Sequence, residues 1–216
     1  MCISAEASLT VAVGLGITGV ATLRCAGAKP LPWLAAVPAL FAVQQCAEGI
    51  VWLYLNGGFQ QTPVSRTAQY VYLMFAYIWW PSYMPLAVAL AEPIPWRRYW
   101  AFAAAVGGLC VSAFDTYYLF TTDLSPTVVG HSIQYGTGAV TARMTYGTVS
   151  LLPLFLTSIP KLWILGALSL LTFLIAKLFF PRTFISVWCI LAAVSSVVVW
   201  VVVKSYGQTP APTTQS

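Results

Sequence analysis

Long apolar stretches separated by short polar ones are the main pattern of this sequence. A helix that crosses a bilayer needs about 20 mostly apolar residues. Seven stretches predict transmembrane helices: 7–24, 31–55, 67–91, 99–120, 140–159, 162–180 and 183–204. The fifth stretch is the weakest because Arg143 lies near its start, although an arginine at a helix end can extend toward the headgroups. Without that stretch the count falls to six, and 127–147 becomes an external loop.

Two polar segments stand apart from the apolar ones. Residues 121–139 are polar and glycine-rich, and the side chains from Thr127 to Tyr135 partly alternate. This pattern predicts a small β-hairpin or a re-entrant lid on the outer face, and loops of this length are often functional. Residues 207–216 are small and polar, which predicts a disordered cytoplasmic tail after a transmembrane domain of residues 1–206.

Composition excludes several classes of protein. Hydrophobic residues make up 59% of the 216 residues and charged residues only 7%, whereas a soluble domain carries about 25% charged residues. A soluble surface must be largely polar, so the chain is not a soluble globular domain, nor is it disordered. We predict an all-α, polytopic bundle whose first partner is the lipid bilayer.

The charge distribution predicts orientation. The net charge is +5, and no basic cluster indicates a nucleic-acid partner. Cytoplasmic loops are enriched in Lys and Arg. With the N-terminus outside, six basic residues fall inside (Arg24, Lys29, Arg97, Arg98, Lys161, Lys204) and four outside (Arg66, Arg143, Lys177, Arg182). The bias favours an outside N-terminus and an inside C-terminus.

Glu48 is the sharpest chemical feature, because a carboxyl group in the middle of a transmembrane helix is costly and by default marks a function. At 100° per residue, Gln44, Gln45, Glu48 and Trp52 fall within an arc of about 100°. Two amides therefore accompany the acid. The stripe predicts a proton carrier, a ligand for a cation or amine, or a catalytic acid or base. An interhelical hydrogen-bond clamp is the structural alternative.

Aromatic residues crowd the third predicted helix. Tyr72, Trp79 and Tyr83 are spaced by seven and four residues, which places them on one face of a regular helix. Pro81 lies inside the same span and should bend it. We predict a pocket wall for an apolar or cationic ligand, with packing and an interfacial aromatic belt as the alternative.

Two further titratable residues are candidates. Asp115 lies toward the outer end of the fourth predicted helix, where it faces either the Glu48 cavity or interfacial water; we favour the interface. His131, the one histidine, lies in the long outer loop. It is a candidate acid or base over the cavity, although a solvated loop histidine is the simpler interpretation.

The five cysteines form no C-x-x-C pair, so neither a disulfide framework nor a zinc site is predicted. Cys2 follows the initiator methionine. If Met1 is removed, Cys2 combines a thiol and an amine on one residue, as in N-terminal nucleophile hydrolases. Nothing in the sequence identifies a cofactor.

Three stretches carry a resemblance: the opening Met-Cys-Ile-Ser-Ala, residues 41–52 with Gln-Gln-Cys-Ala-Glu-Gly, and Phe-Ile-Ser-Val-Trp-Cys at 184–189. The chain resembles an uncharacterised family of bacterial multi-span membrane proteins. The resemblance implies a location in the bacterial cytoplasmic membrane but no activity. It highlights the same residues as the chemistry does: Cys2, Ser4, Gln44, Gln45, Glu48, Trp52, Trp188 and Cys189.

Three functions therefore remain open. The first is a transporter, channel or sensor for a small solute or protons, centred on Glu48. The second is a membrane-embedded hydrolase that uses Cys2 or Glu48, with His131 as a base. The third is a non-catalytic subunit of a membrane complex. A small-molecule ligand and a homo-oligomer are further expectations.

Overall fold

A computed structural model describes residues 4–27, 30–57, 62–136 and 144–206. These residues are almost entirely helical. The helices, in chain order, are α1 (Ala5–Ala26), α2 (Pro32–Ala35), α3 (Val37–Asn56), α4 (Pro63–Leu73), a π-helix (Met74–Trp79), α5 (Trp80–Ala91), α6 (Pro95–Thr121), α7 (Met144–Leu156), α8 (Leu162–Phe179), α9 (Phe184–Ser195) and α10 (Val198–Tyr206). Strands β1 (Pro126–Val129) and β2 (Ser132–Tyr135) are the two strands within the described ranges.

Six helical segments of the described chain are long and apolar enough to cross a membrane. They are Ala5–Ala26, Pro32–Asn56, Pro63–Ala91, Pro95–Thr121, Leu162–Phe179 and Phe184–Tyr206. Their outward faces carry large apolar side chains, such as Ile17 and Phe120, which are 69% and 74% exposed. Exposed apolar surface on this scale suits lipid rather than water. The expectation of an all-α, multi-pass membrane protein is thereby confirmed.

The fifth predicted helix is only partly described. Its described part, α7, has 13 residues and is too short to span a bilayer alone. Residues 137–143, which include Arg143, lie outside the described ranges, as does the tail from 207 onward. The expected seventh span is therefore not confirmed. Contacts at the two ends of α7 show which other helices each end lies near. Lys177 Nζ lies 3.2 Å from Met144 Sδ, and just beyond α7 the Ser158 N–H donates to Glu92 Oε2 over 2.7 Å.

Two of the long spans are interrupted. The third contains the π-helix between α4 and α5, immediately before Pro81, which has no N–H to donate to the preceding turn. The last is broken between α9 and α10, where the Ser196 hydroxyl donates to the Ala193 carbonyl over 2.6 Å. Each break turns the helix face that follows, so side chains before and after it meet different neighbours.

The polar loop forms a hairpin. Strands β1 and β2 pair antiparallel from Pro126↔Tyr135 to Val129↔Ser132, and Gly130 (φ 62°) supplies the left-handed turn. Ile133 and Tyr135 are buried, because they pack on a small apolar core with α3, α4 and the start of α9. Of the two forms predicted for this loop, the structure has the hairpin, and it covers one end of the bundle.

Candidate functional site

Glu48 lies in α3 with its side chain completely buried in the helix bundle. Its Oε1 accepts a 2.6 Å hydrogen bond from the Ser186 hydroxyl in α9. Gln45 and Tyr72 also lie close to the carboxyl group, but Oε2 accepts no hydrogen bond of normal geometry from any described residue. Half of the carboxyl group is therefore held in place, and the other half is buried without a donor.

Further buried polar atoms around Glu48 lack hydrogen-bond partners among the described residues. They are both terminal atoms of Gln45, Nε2 of Gln44, Nε1 of Trp52 and the hydroxyl of Tyr135. An unpaired buried polar atom costs about 1–3 kcal/mol, and native proteins contain few. Several such atoms close together are typical of a site that holds water, a proton or a ligand.

We refer to Gln44, Gln45, Glu48, Trp52, Tyr72, Tyr135, Ser186 and Cys189 as the Glu48 cluster. Trp52, Tyr72, Tyr135 and Cys189 pack in one apolar core. Tyr72, Tyr135 and Cys189 are all near enough to Glu48 to interact with it electrostatically. The cluster thus combines three helices and the hairpin, and local sequence alone does not specify such an arrangement.

Strand β2 closes the cluster. The ring of Tyr135 stacks on the ring of Tyr72 with centroids 5.2 Å apart. Burial raises the pKa of the Tyr135 phenol well above its ordinary value, and the nearby Glu48 acts in the same direction. Tyr135 is therefore a neutral group, able to donate or accept one hydrogen bond above the carboxyl.

Two small cavities adjoin the cluster. One, of about 50 Å³, is lined by Trp80, Tyr146, Ser150, Trp188 and Cys189 among others. The other, of about 10 Å³, lies beneath the hairpin beside Tyr135. A cavity holds one water molecule when roughly 10–15 Å³ of its space is accessible to the centre of that molecule. The first cavity therefore has room for a few waters, and the second for about one.

Gln44 connects the cluster to the larger cavity. Its Oε1 accepts a 2.7 Å hydrogen bond from the indole Nε1 of Trp80, and the Trp80 ring stacks on Phe41 at 3.9 Å. The amide is thus oriented by a cavity-lining tryptophan, and its Nε2 is left as an unpaired donor. Gln44, Gln45, Glu48, Trp52 and Tyr72 therefore come together as the sequence indicated.

The structure separates Trp79 and Tyr83 from this cluster. Trp79 is 38% exposed and stacks on Tyr83, whose hydroxyl donates to the Trp33 carbonyl over 2.8 Å. Trp33 precedes Glu48 by 15 residues, or about 20 Å of helix. The π-helix explains the exposure of Trp79, because i→i+5 bonding adds about one residue per turn and rotates the face that follows by about 100°. Tyr83 is in addition 11 residues, or about 16 Å of helix, beyond Tyr72. The expectation of a single Tyr72–Trp79–Tyr83 face is wrong.

Asp115 and Trp188 both face the interior. Asp115 is 2% exposed and lies close to Tyr146, so the favoured interfacial position is wrong. Trp188 lines the larger cavity, with its indole Nε1 3.4 Å from the Ser169 carbonyl and its ring edge-on to Tyr146. Trp188 therefore borders the larger cavity directly, and Asp115 lies near Tyr146, which also lines it.

The remaining candidates do not meet Glu48. His131 is exposed at the hairpin turn, four residues along β2 from Tyr135, which is about 13 Å. Cys2 lies outside the described residues. Ser4 caps α1, its Oγ accepting from the Ala7 N–H at 3.2 Å. In the described part of the chain no group of three His, Cys, Asp or Glu residues is arranged to hold a metal ion.

Two cluster residues were not identified as site residues from the sequence. Ser186 lies on a stripe of small residues with Cys189, Ala193 and Ser196, a pattern that is typical of close helix packing rather than of a site. Tyr135 marked the end of the alternating pattern in the loop. The one sequence feature that could have identified Ser186 as a site residue is its polar side chain on an otherwise apolar stripe. Nothing in the local sequence links Tyr135 to Tyr72.

Comparison with known proteins assigns the chain to a family. A family of unknown function (DUF6629) matches residues 1–214. No curated protein and no solved structure matches the chain. The match covers nearly the whole sequence and agrees with the resemblance found in its motifs. The chain belongs to the family of unknown function DUF6629.

Proposed function

We propose that this protein handles protons in a membrane, with Glu48 as the group that takes up and releases the proton. The observation that carries the proposal is the half-paired carboxyl of Glu48, fully buried and surrounded by other unpaired polar atoms. A carboxyl group used only as a structural clamp would have both oxygens bonded.

The unpaired atoms suit both protonation states of the acid. For the ionised form, Gln45 Nε2 and Trp52 Nε1 are donors without partners. For the neutral form, Gln45 Oε1 is an acceptor without a partner. A site with spare donors and a spare acceptor can stabilise either state by small side-chain rotations. Tyr135, with a neutral hydroxyl, adds a group that serves either role.

The two small cavities support the proposal, because each borders a residue of the Glu48 cluster. The larger one reaches Cys189 from the bundle interior, and the smaller one reaches Tyr135 from beneath the hairpin. Water in either would exchange a proton with the cluster from a different side. Movement of β2 would change access on the hairpin side, which makes the hairpin a lid. Transporter, channel and sensor are each compatible with this arrangement.

Glu48→Gln tests the proposal directly. Infrared difference spectra recorded on acidification should show the carbonyl band of a newly protonated buried carboxyl, and Glu48→Gln should lose that band. Glu92→Gln is the matched control, because it removes another buried carboxyl group, whose two oxygens already accept hydrogen bonds, and should leave the Glu48 band in place. An unchanged band in Glu48→Gln would refute the proposal. In vesicles with a pH-sensitive dye, proton flux that requires Glu48 would favour transport over sensing.

A small polar or cationic solute is the second candidate for the same site, and the mixture of unpaired donors and acceptors favours it. Native mass spectrometry of protein released from mild detergent distinguishes the two. A non-lipid mass retained by the native protein and lost in Glu48→Gln would indicate a solute. An unmodified protein mass together with a titrating carboxyl band would indicate protons alone.

We further propose seven crossings, with the hairpin end outside the bacterial cytoplasmic membrane. The contacts of α7 support this, because Met144 lies near Lys177 at the end of α8, whereas Ser158 lies near Glu92 at the end of α5. The predicted fifth span, 140–159, would then cross from one end to the other. Five described basic residues (Arg24, Arg97, Arg98, Lys161, Lys204) would face inside and three (Arg66, Lys177, Arg182) outside. Labelling single cysteines at positions 128 and 205 from outside the cell should modify the first only.

A further inference from the structure

A third cavity, which shares no lining residue with the Glu48 cluster, lies between α5, α6 and α7. Its volume is about 250 Å³, and its walls are mainly apolar, including Ala101, Ala104, Val149 and Leu152. Arg97 and Glu92 lie in its lining. An apolar cavity with a basic group in its lining suits a molecule with an apolar chain and an anionic head.

Helix packing explains why the space exists. A Cβ atom on Gly108 would lie 2.0 Å from the Pro81 carbonyl oxygen, so α6 and α5 are in backbone contact there. Toward its beginning, α6 carries Ala101 and Ala104 on the same face as Gly108, by the i, i+4, i+7 rule. These side chains are too small to fill the gap between the helices. The cavity is therefore closed at Gly108 and extends toward Arg97.

Arg97 is the chemically incomplete group at this cavity. Its Nε is buried and has no hydrogen-bond partner in the described chain, and its guanidinium lies 5.1 Å from the ring of Trp96. Glu92 forms no ion pair with Arg97 among the described contacts; its carboxylate is instead held by the Ile94 N–H, the Thr157 hydroxyl and Ser158. A planar guanidinium with free donors is a good ligand for a phosphate group.

Exposed aromatic residues indicate the depth of Arg97 in the bilayer. Trp96, Tyr99 and Trp100 are each more than half exposed at the beginning of α6. Trp and Tyr concentrate at the headgroup level of a bilayer. Arg97 is at that level, and the alanine-lined cavity continues toward the hydrocarbon.

We propose that this cavity is a binding site for an anionic phospholipid. The lipid phosphate pairs with Arg97, and one acyl chain lies along Ala101 and Ala104 between α6 and α7. The site is independent of the Glu48 proposal, since no residue is common to both. A zwitterionic lipid of the same chain length fits the cavity but gains less from Arg97, because its headgroup also carries a positive charge.

Native mass spectrometry of the full chain in mild detergent tests this site. Phosphatidylglycerol and phosphatidylcholine with identical acyl chains are added at equal concentration. Retention of phosphatidylglycerol should be about fivefold higher, which is the effect of one interfacial arginine on an anionic lipid. Arg97→Gln should bring the two lipids close to equal retention, whereas Arg97→Lys should keep most of the preference.

Two further variants distinguish binding in this cavity from nonspecific electrostatic attraction between the protein and an anionic lipid. Ala104→Leu fills the cavity and should lower retention of both lipids. Arg182→Gln removes an exposed arginine at the other end of the bundle and should leave the preference intact. Equal retention of both lipids by the native protein would overturn the proposal. A preference for phosphatidylglycerol that persists in Arg97→Gln would also overturn it. The same holds for a preference that Arg182→Gln abolishes to the same extent as Arg97→Gln does.

Discussion

The Ser186 hydroxyl donates a 2.6 Å hydrogen bond to Oε1 of Glu48, joining α9 to α3 across 138 residues of sequence. This bond orients the carboxyl group and occupies Oε1, while Oε2 accepts no hydrogen bond from the described residues. It also explains how a buried acid is tolerated, since one strong hydrogen bond offsets part of its desolvation.

Ser186→Ala should lower the free energy of unfolding by about 1 kcal/mol, because Glu48 Oε1 loses its donor while staying buried. The measurement is an unfolding titration with a denaturing detergent in mixed micelles. Ser195→Ala is the control, since that hydroxyl only donates back to the Leu191 carbonyl of its own helix. It should cost less than about 0.5 kcal/mol. Equal effects of the two substitutions would contradict a special role for Ser186.

Tyr135→Ala should expose the cluster, because it removes the ring that stacks on Tyr72. The readout is the rate at which a small thiol reagent labels Cys189 in a protein whose other cysteines are replaced by serine. Cys189 is buried in the native protein, so the rate should rise about tenfold or more if the opening free energy falls by about 1.4 kcal/mol. Tyr135→Phe keeps the ring and should label at the native rate. Similar rates in both variants would refute the lid.

Glu92 should make the protein sensitive to acid. Burial alone would raise its pKa, but hydrogen bonds from Ser158, Thr157 and Ile94 together lower it below the ordinary value. A pKa that is lower in the folded state stabilises the fold above the unfolded-state pKa of about 4.3. That contribution is lost as the pH falls through the folded-state pKa. Glu92→Gln should flatten the decline of the unfolding midpoint as the pH falls below the unfolded-state pKa of a glutamate. Parallel curves for Glu92→Gln and the native protein would contradict this assignment.

Gly108→Ala should be one of the more damaging single substitutions in the bundle. The new Cβ would lie 2.0 Å from the Pro81 carbonyl oxygen and 2.6 Å from its carbon, and backbone atoms cannot move aside as a flexible side chain can. The expected loss is about 1–3 kcal/mol in the free energy of unfolding. Gly14→Ala is the matched control, because no atom lies within 4 Å of its added Cβ. It should be neutral or stabilise α1 by up to about 1 kcal/mol. A tolerated Gly108→Ala would mean that α5 and α6 are not in backbone contact.

Much of the fold was predictable because the local composition of the chain determines where membrane helices form. Unbroken apolar runs determine where a span begins and ends, since each backbone polar group in the bilayer must be paired inside its own helix. The hairpin was one of two predicted forms, indicated by alternation around Gly130. The polar stripe of Gln44, Gln45 and Glu48 was equally local, as a 100° helical step suffices to align it.

The failures came where the backbone departs from regular helix or where contacts are distant. The π-helix at 74–79 turned Trp79 out of the face on which Tyr72 lies. The residue types in this segment do not predict a π-helix. Asp115 proved buried rather than interfacial, because the packing of α6 against its neighbours decides which face meets lipid. For α7 the described residues begin only at Met144, so its full length was not tested.

The sequence by itself determined an all-α, multi-pass membrane protein with one acid aligned with two amides, since hydrophobic length and helical periodicity act over a few turns. Only the tertiary structure decided what surrounds that acid. It brought Ser186 to one oxygen, left the other unpaired and set Tyr135 over Tyr72. These partners lie far apart in the sequence, and they meet only because α3, α4, α9 and the hairpin bury their apolar faces together.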